Sequence, residues 1–142
     1  MYVDAILQSK GVVVHTLPET GRLADAVEAL NRHNIGAVVI TGAGDTVVGI
    51  LSERDIVRHL GDDPAGALDL PIATVMSKHV ATCTRDTTIA EVMEIMTNLR
   101  VRHMPVVEDG ELMGIISIGD VVKRKIEETE LEAAALRDYI AS

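Results

Sequence analysis

Two short segments carry the residues best suited to hold a ligand, Ser52-Glu53-Arg54-Asp55 and Ser117-Ile118-Gly119-Asp120. Each sets a hydroxyl three residues ahead of a carboxylate, directly after a glycine and two apolar residues (Gly49-Ile50-Leu51 and Gly114-Ile115-Ile116). Where such a segment opens a helix, hydroxyl and carboxylate share the first turn, beside backbone N–H groups that lack a partner within the helix. A carboxylate can accept from both hydroxyls of a ribose, and a hydroxyl with free N–H groups suits a phosphate or another sugar oxygen. The same spacing is also a capping box, which ties off a helix and needs no ligand. On the residues alone both uses stay open.

Arg102 and His103 stand just before the apolar run Met104-Pro105-Val106-Val107. A basic pair at the mouth of a strand, beside a helix start, can hold a di- or triphosphate, with Arg as the bidentate donor and His as the group whose charge varies near neutrality. A solvated strand edge explains the pair equally well. The remaining candidates carry less. His15, His33, His59 and His79 show no metal-site spacing and read as surface or boundary residues, and Cys83, the one cysteine, reads as a small core residue. No glycine-rich phosphate loop, nucleophile elbow or set of nucleophile, base and orienter is present, so an enzyme lacks its parts and no cofactor is required.

These segments recur because the chain repeats itself. Val14-His15-Thr16 through Ile40 is echoed 66 residues later by Val80-Ala81-Thr82 through Val106. Within that window Leu23, Ala24, Val27 and Leu30 match Ile89, Ala90, Met93 and Met96, the spacing of an amphipathic helix face. After a slip of one residue in a turn, Val48–Val57 matches Met113–Val122. Each copy reads as strand, helix, two strands joined by a tight turn, and helix: about 12–16, 22–33, 37–41, 46–51 and 53–60, then 79–83, 88–98, 104–107, 112–116 and 118–127. The lead-in ending Ile72-Ala73-Thr74-Val75-Met76 resembles Val3-Asp4-Ala5-Ile6-Leu7. The expected organisation is a single module over 1–142, with a first repeat at 3–66 and a second at 71–127. Thr129-Glu130-Leu131-Glu132 is a capping-box pattern that marks a separate C-terminal helix at 129–141. The fold class is α+β: two tandem βαββα repeats about a pseudo-twofold axis, sheets together and helices outside, leaving two crevices.

Composition narrows the ligands. A formal charge of −9 argues against a duplex- or membrane-binding face, and with no Phe or Trp and only Tyr2 and Tyr139 there is little to stack on single-stranded bases. No apolar run approaches the roughly 18 residues of a membrane span, and the first residues lack a basic-then-apolar leader, so a cytoplasmic location is expected.

Taken in order, Ile35-Gly36-Ala37-Val38-Val39, Val48-Gly49-Ile50-Leu51-Ser52-Glu53-Arg54-Asp55, Val75-Met76-Ser77, Val101–Val107 and Met113–Asp120 resemble a tandem cystathionine-β-synthase (CBS) domain pair, or Bateman module, over nearly the whole chain. The resemblance is greatest to stand-alone bacterial two-CBS proteins. It implies a regulatory module that binds AMP, ADP, ATP, NAD or S-adenosylmethionine in the crevices between repeats, forms a homodimer and signals to an effector protein. Carried over by position, Asp55 and Asp120 would hold ribose hydroxyls, with Ser52 and Ser117 assisting. Thr16 and Thr82, with strand backbone near Val80, would meet the adenine edge. Arg102 and His103 would hold phosphate, and Arg54, Met104 and Pro105 complete the set. The first copy has Gly36-Ala37 where the second has the basic pair, so the two crevices should differ in phosphate binding. The alternative is a ligand-free dimerisation or adaptor module, using the apolar faces of Ile56, Val57 and Leu60 and of Val121, Val122 and Ile126.

Overall fold

Short β-branched runs alternate with helix-period segments along this chain, and the computed structural model, which describes all 142 residues, turns most of them into the element their pattern favours. In chain order these are α1 (Val3–Lys10), β1 (Thr16–Pro18), α2 (Leu23–His33), β2 (Ala37–Thr41), β3 (Val47–Ser52) and α3 (Glu53–Asp62). Then follow α4 (Ile72–Val75), α5 (Ile89–Leu99), β4 (His103–Glu108), β5 (Glu111–Ser117) and α6 (Ile118–Ala141). No helix is long and apolar enough to cross a membrane.

The elements form two compact units. One comprises Val13–Val80 with the turn Asp109–Leu112. Its three strands lie in the order β1-β2-β3, β1 parallel to β2 with Thr16 opposite Val39, and β2 antiparallel to β3 with Ala37 opposite Ser52. α2 buries Leu23, Ala26 and Leu30, the i, i+3, i+7 positions that face the sheet, against Val38, Ile40, Leu51, Ile56, Ile72 and Val75. The other unit comprises Met1–Val12, Ala81–Glu108 and Met113–Ser142. There β4 pairs β5, and α5 buries Ile89, Val92 and Met96 at the same spacing. The buried residue of each helix thus includes Ala26 and Val92, whereas the matched Ala24 and Ala90 are exposed.

Three expectations change. The strand expected at 79–83 shrinks to one parallel bridge, in which the Cys83 N–H donates to Pro105 O (3.1 Å) and the Val107 N–H to Cys83 O (2.9 Å). The strand expected at 12–16 starts only at Thr16, because Val12 and Val13 lie outside the sheet with side chains exposed. The helix expected at 129–141 is no separate element. α6 runs unbroken from Ile118 to Ala141, since no Gly or Pro interrupts 125–131 and Thr129 is tolerated inside a helix that is already nucleated.

The lead-ins exchange repeats. Val3, Ile6 and Leu7, which precede the first repeat in sequence, are buried with Ile89, Val92, Met104 and Val106 of the second. Ile72 and Val75, which precede the second, are buried in the core of the first. Matching backbone bonds fix both. The Val3 N–H donates to Thr87 O (2.9 Å) and the Ile89 N–H to Met1 O (3.0 Å); in the other unit the Ile72 N–H donates to Gly21 O and the Leu23 N–H to Leu70 O (both 2.9 Å). Sequence span and packing unit therefore part company at the lead-ins.

Candidate functional site

Each candidate aspartate sits in the first turn of the helix that follows a hairpin. The Ser52 N–H donates to Asp55 Oδ2 (2.9 Å), and the Asp55 N–H donates back to Ser52 Oγ (3.3 Å). The Ser117 N–H and Asp120 Oδ2 (2.9 Å), with the Asp120 N–H and Ser117 Oγ (3.2 Å), repeat the arrangement. The two cap residues share nearly one backbone conformation, φ −106 and ψ 162 at Ser52 and φ −107 and ψ 164 at Ser117. Both segments are therefore true capping boxes. The capping bonds use only Oδ2 of each half-buried aspartate and leave Oδ1 outside the cap. Capping and ligand holding are thus compatible, because a carboxylate has acceptor sites left after one oxygen is used.

Each helix start is also tied to the strand that carries the candidate phosphate-binding position. The Ile118 N–H donates to Arg102 O (2.8 Å), and in the other unit the Glu53 N–H donates to Gly36 O (3.0 Å). Arg102, His103, Ser117 and Asp120 are thereby gathered around the start of α6, with the Arg102 side chain exposed. Ser52, Arg54 and Asp55 are gathered around the start of α3, with no basic pair at Gly36-Ala37. Thr16 is exposed on β1, opposite Val39, which in turn lies opposite Ile50. Exposed Thr82 adjoins the Cys83–Val106 bridge, and Val80 is half-buried at the end of its unit. Met104 is fully buried among Val3, Leu7 and Val92, so its side chain serves the core, and Pro105 beside it is buried as well.

Two groups near these positions escape local sequence reading. The Lys10 ammonium, at the end of α1, donates to Asp120 Oδ2 (2.7 Å) and to Ile115 O (3.0 Å). Burial, which alone would push the Asp120 carboxyl up, is outweighed by Lys10 and the Ser117 donors, and the carboxyl is held below the usual aspartate value. Only the lead-in exchange, invisible in residue spacing, brings these partners 110 positions apart together. His15 and His33 stack with ring centroids 3.5 Å apart at one end of a cleft of about 500 Å³ between β1 and α2, which Asp25, Glu28 and Arg32 also line. Partial desolvation, with His15 and Arg32 nearby, holds His33 below the ordinary imidazole value.

Two αβ units with the same capped helix start, the same hairpin and the same exchanged lead-in define a tandem-repeat module. The family model of the CBS domain matches residues 8–62 and again 72–127, and the chain belongs to that family, with two tandem CBS repeats. It is 33% identical over 120 residues to a mitochondrial CBS domain-containing protein of Arabidopsis thaliana, a match over 82% of this chain that spans 58% of that longer protein. The crystal structure of a CBS-domain containing protein from Agrobacterium tumefaciens superposes with a TM-score of 0.84 at 43% identity, covering 87% of this chain and 92% of that one. A CBS domain protein from Pyrobaculum aerophilum, solved in complex with AMP, superposes with a TM-score of 0.75 at 27% identity, covering 84% of this chain and 89% of that one.

Proposed function

We propose that this chain is a non-catalytic regulatory module that binds an adenosine-containing ligand, AMP, ADP, ATP or NAD, with Asp120 and Asp55 accepting from the ribose hydroxyls. The observation that carries this reading is the repeated capping box whose aspartate keeps one carboxylate oxygen outside the cap in both units. The AMP complex of the Pyrobaculum aerophilum relative supports the ligand class. Arg102 and His103 beside Asp120, against Gly36-Ala37 beside Asp55, make the Asp120 site the one suited to phosphorylated ligands. Signalling to an effector then requires the ligand to bind one arrangement of the module more tightly than another.

Thermal melting with AMP, ATP, NAD and S-adenosylmethionine tests the proposal. Ligand at one hundred times its dissociation constant stabilises the fold by about 2.7 kcal/mol, a rise of several degrees in Tm for a chain of this size. Asp120→Ala and Asp55→Ala each remove the stabilisation due to one site. Flat melts with all four ligands overturn the reading, and normal binding by both variants overturns the residue assignment.

A second reading, a ligand-free homodimerisation module, draws on apolar side chains left in water on the two closing helices: Val57 on α3, and Val122 and Ile126 on α6. Ile56 and Val121, expected on the same faces, are instead buried within their own units. A dimer by light scattering with no ligand response in the melts favours this second reading.

A further inference from the structure

The two units differ at one carbonyl. In the first, the Ile50 carbonyl at the edge of β3 accepts from the Ser77 N–H (2.9 Å), an ordinary bond from lead-in backbone to strand. In the second, the equivalent carbonyl of Ile115 accepts instead from the Lys10 side chain (3.0 Å). Here the lead-in stays helical through Lys10, so its backbone does not pair with the strand and the side chain takes over. The same ammonium closes on Asp120 Oδ2 at 2.7 Å. The Asp55 carboxylate is bonded by Ser52 and not by a lysine, so the device belongs to one site only.

We infer that Lys10 is a built-in occupant of the Asp120 site, an ammonium that satisfies the carboxylate until an adenosine-type ligand displaces it. The inference rests on the reading of Asp120 as the ribose-holding carboxylate. Asp120 Oδ2 already accepts from the Ser117 N–H and from Lys10, and Oδ1 lies outside the cap. A ribose that presents one hydroxyl to each carboxylate oxygen takes over the acceptor site on Oδ2 that Lys10 fills. The exchange is feasible, since Lys10 sits on the last turn of a short helix with its side chain 35% exposed, and its ammonium can regain water on release. Occupancy of the site is thereby coupled to the hold of α1 on β5, which gives a ligand a direct mechanical consequence at the end of the lead-in.

Calorimetric titration of the full chain with adenosine, an uncharged ligand, tests this directly. For the wild type, adenosine affinity rises with salt, because screening weakens the competing Lys10–Asp120 pair and leaves the ligand itself unaffected. Lys10→Met binds adenosine about two- to fivefold more tightly at low salt, the worth of a partly exposed ion pair, and its affinity no longer depends on salt. Lys10→Arg, which keeps the charge, retains the salt-dependent behaviour and shows that the chain tolerates change at this position. Equal affinity for adenosine in wild type and Lys10→Met, or weaker binding by the variant, overturns the occupant role and leaves the adenosine-binding reading intact. Absence of adenosine binding in both chains overturns that reading and the occupant role with it.

Discussion

Leu7 lies across Gly114 so closely that a methyl group added at the glycine would stand 2.7 Å from Leu7 Cδ2. The relationship recurs in the other unit, where a methyl at Gly49 would stand 2.4 Å from Met76 Sδ and 3.0 Å from Ser77 O. These are the glycines that precede the two Ser-x-x-Asp segments, and the contacts explain them: each lets an exchanged lead-in lie flat on the strand that leads to a candidate aspartate.

Gly114→Ala should therefore destabilise the chain by about 1–3 kcal/mol, the usual cost of an extra methyl in a packed core. Gly49→Ala should cost at least as much, because Met76 can swing away but the Ser77 carbonyl cannot move without stretching its bond from the Ile50 N–H. Urea midpoints of the two variants check this. Losses under about 0.5 kcal/mol for both, the level of a neutral surface change, would mean the lead-ins are not seated as described.

Much of this arrangement was legible in residue order. The duplication, the α2 and α5 spans and the hairpin strands follow from apolar period and turn residues, both local signals. The Ser-x-x-Asp segments were legible as caps for the same reason, since each cap is closed within four residues. The lead-in exchange was not. Leu7 and Met76 carry the same pattern whichever repeat they cover, and only packing decides between the two. Lys10 shared that fate, because its partners Asp120 and Ile115 lie over a hundred residues away. The merged α6 was missed because the Thr129 segment has the residue types of a cap, whereas a growing helix needs a breaker to stop and finds none.

The caps themselves should be separable from ligand binding. Ser52→Ala and Ser117→Ala each remove the acceptor for one helix-start N–H and should lower stability by about 1 kcal/mol. Ligand-induced rises in Tm should survive in both, since the aspartate and its oxygen outside the cap remain. Melting with and without AMP compares the two effects. Loss of the AMP response in Ser117→Ala at full aspartate content would move the ligand contact from Asp120 to the hydroxyl.

Acid should act through Asp120. Its carboxyl is depressed in the folded chain, so unfolded chains bind its proton first as pH falls through the ordinary aspartate value of about 3.9. Its stabilising contribution is complete above that range and is lost as pH drops toward the depressed folded value. Glu108, held down by Arg85, loses its contribution in a neighbouring acidic window. The Asp120 part is isolated by comparison with Lys10→Met, in which the carboxyl loses its cation. Urea midpoints between about pH 3 and pH 6 should fall less steeply in the variant, by at most about 1 kcal/mol across the range for so exposed a pair. Parallel profiles would show that Lys10 does not hold the Asp120 charge.

Cys83 should report unfolding of its own unit. The side chain is 5% exposed, and burial pushes its thiol up to about 11. A buried, protonated thiol is a poor nucleophile. Reaction with a disulfide reagent near pH 8 should therefore be slow in the native chain and should accelerate with urea in step with loss of helix signal. Fast native labelling would show that the bridge between Cys83 and Val106 opens without global unfolding.

The far end of α6 should be dispensable for folding. Val121 is its one buried residue, and beyond Glu128 only Ala134 is even half-buried. Leu131, Leu136, Tyr139 and Ile140 are 59–79% exposed, so none of them adds burial energy to the unit. The ties that fix α6 come earlier, from the Arg124 guanidinium to Ala5 O (3.0 Å) and from the N-terminal ammonium to Glu128 (3.6 Å). Helix persists beyond them because propagation on a formed nucleus costs little. Removal of residues 129–142 should leave Tm within a degree or two at low protein concentration while lowering helical ellipticity in proportion to the residues lost. Repeating the melt at a hundredfold higher concentration separates folding from association. A drop of several degrees on truncation at both concentrations would show that this segment packs on its own chain, and a drop only at the higher one would show that copies of the chain bury it between them.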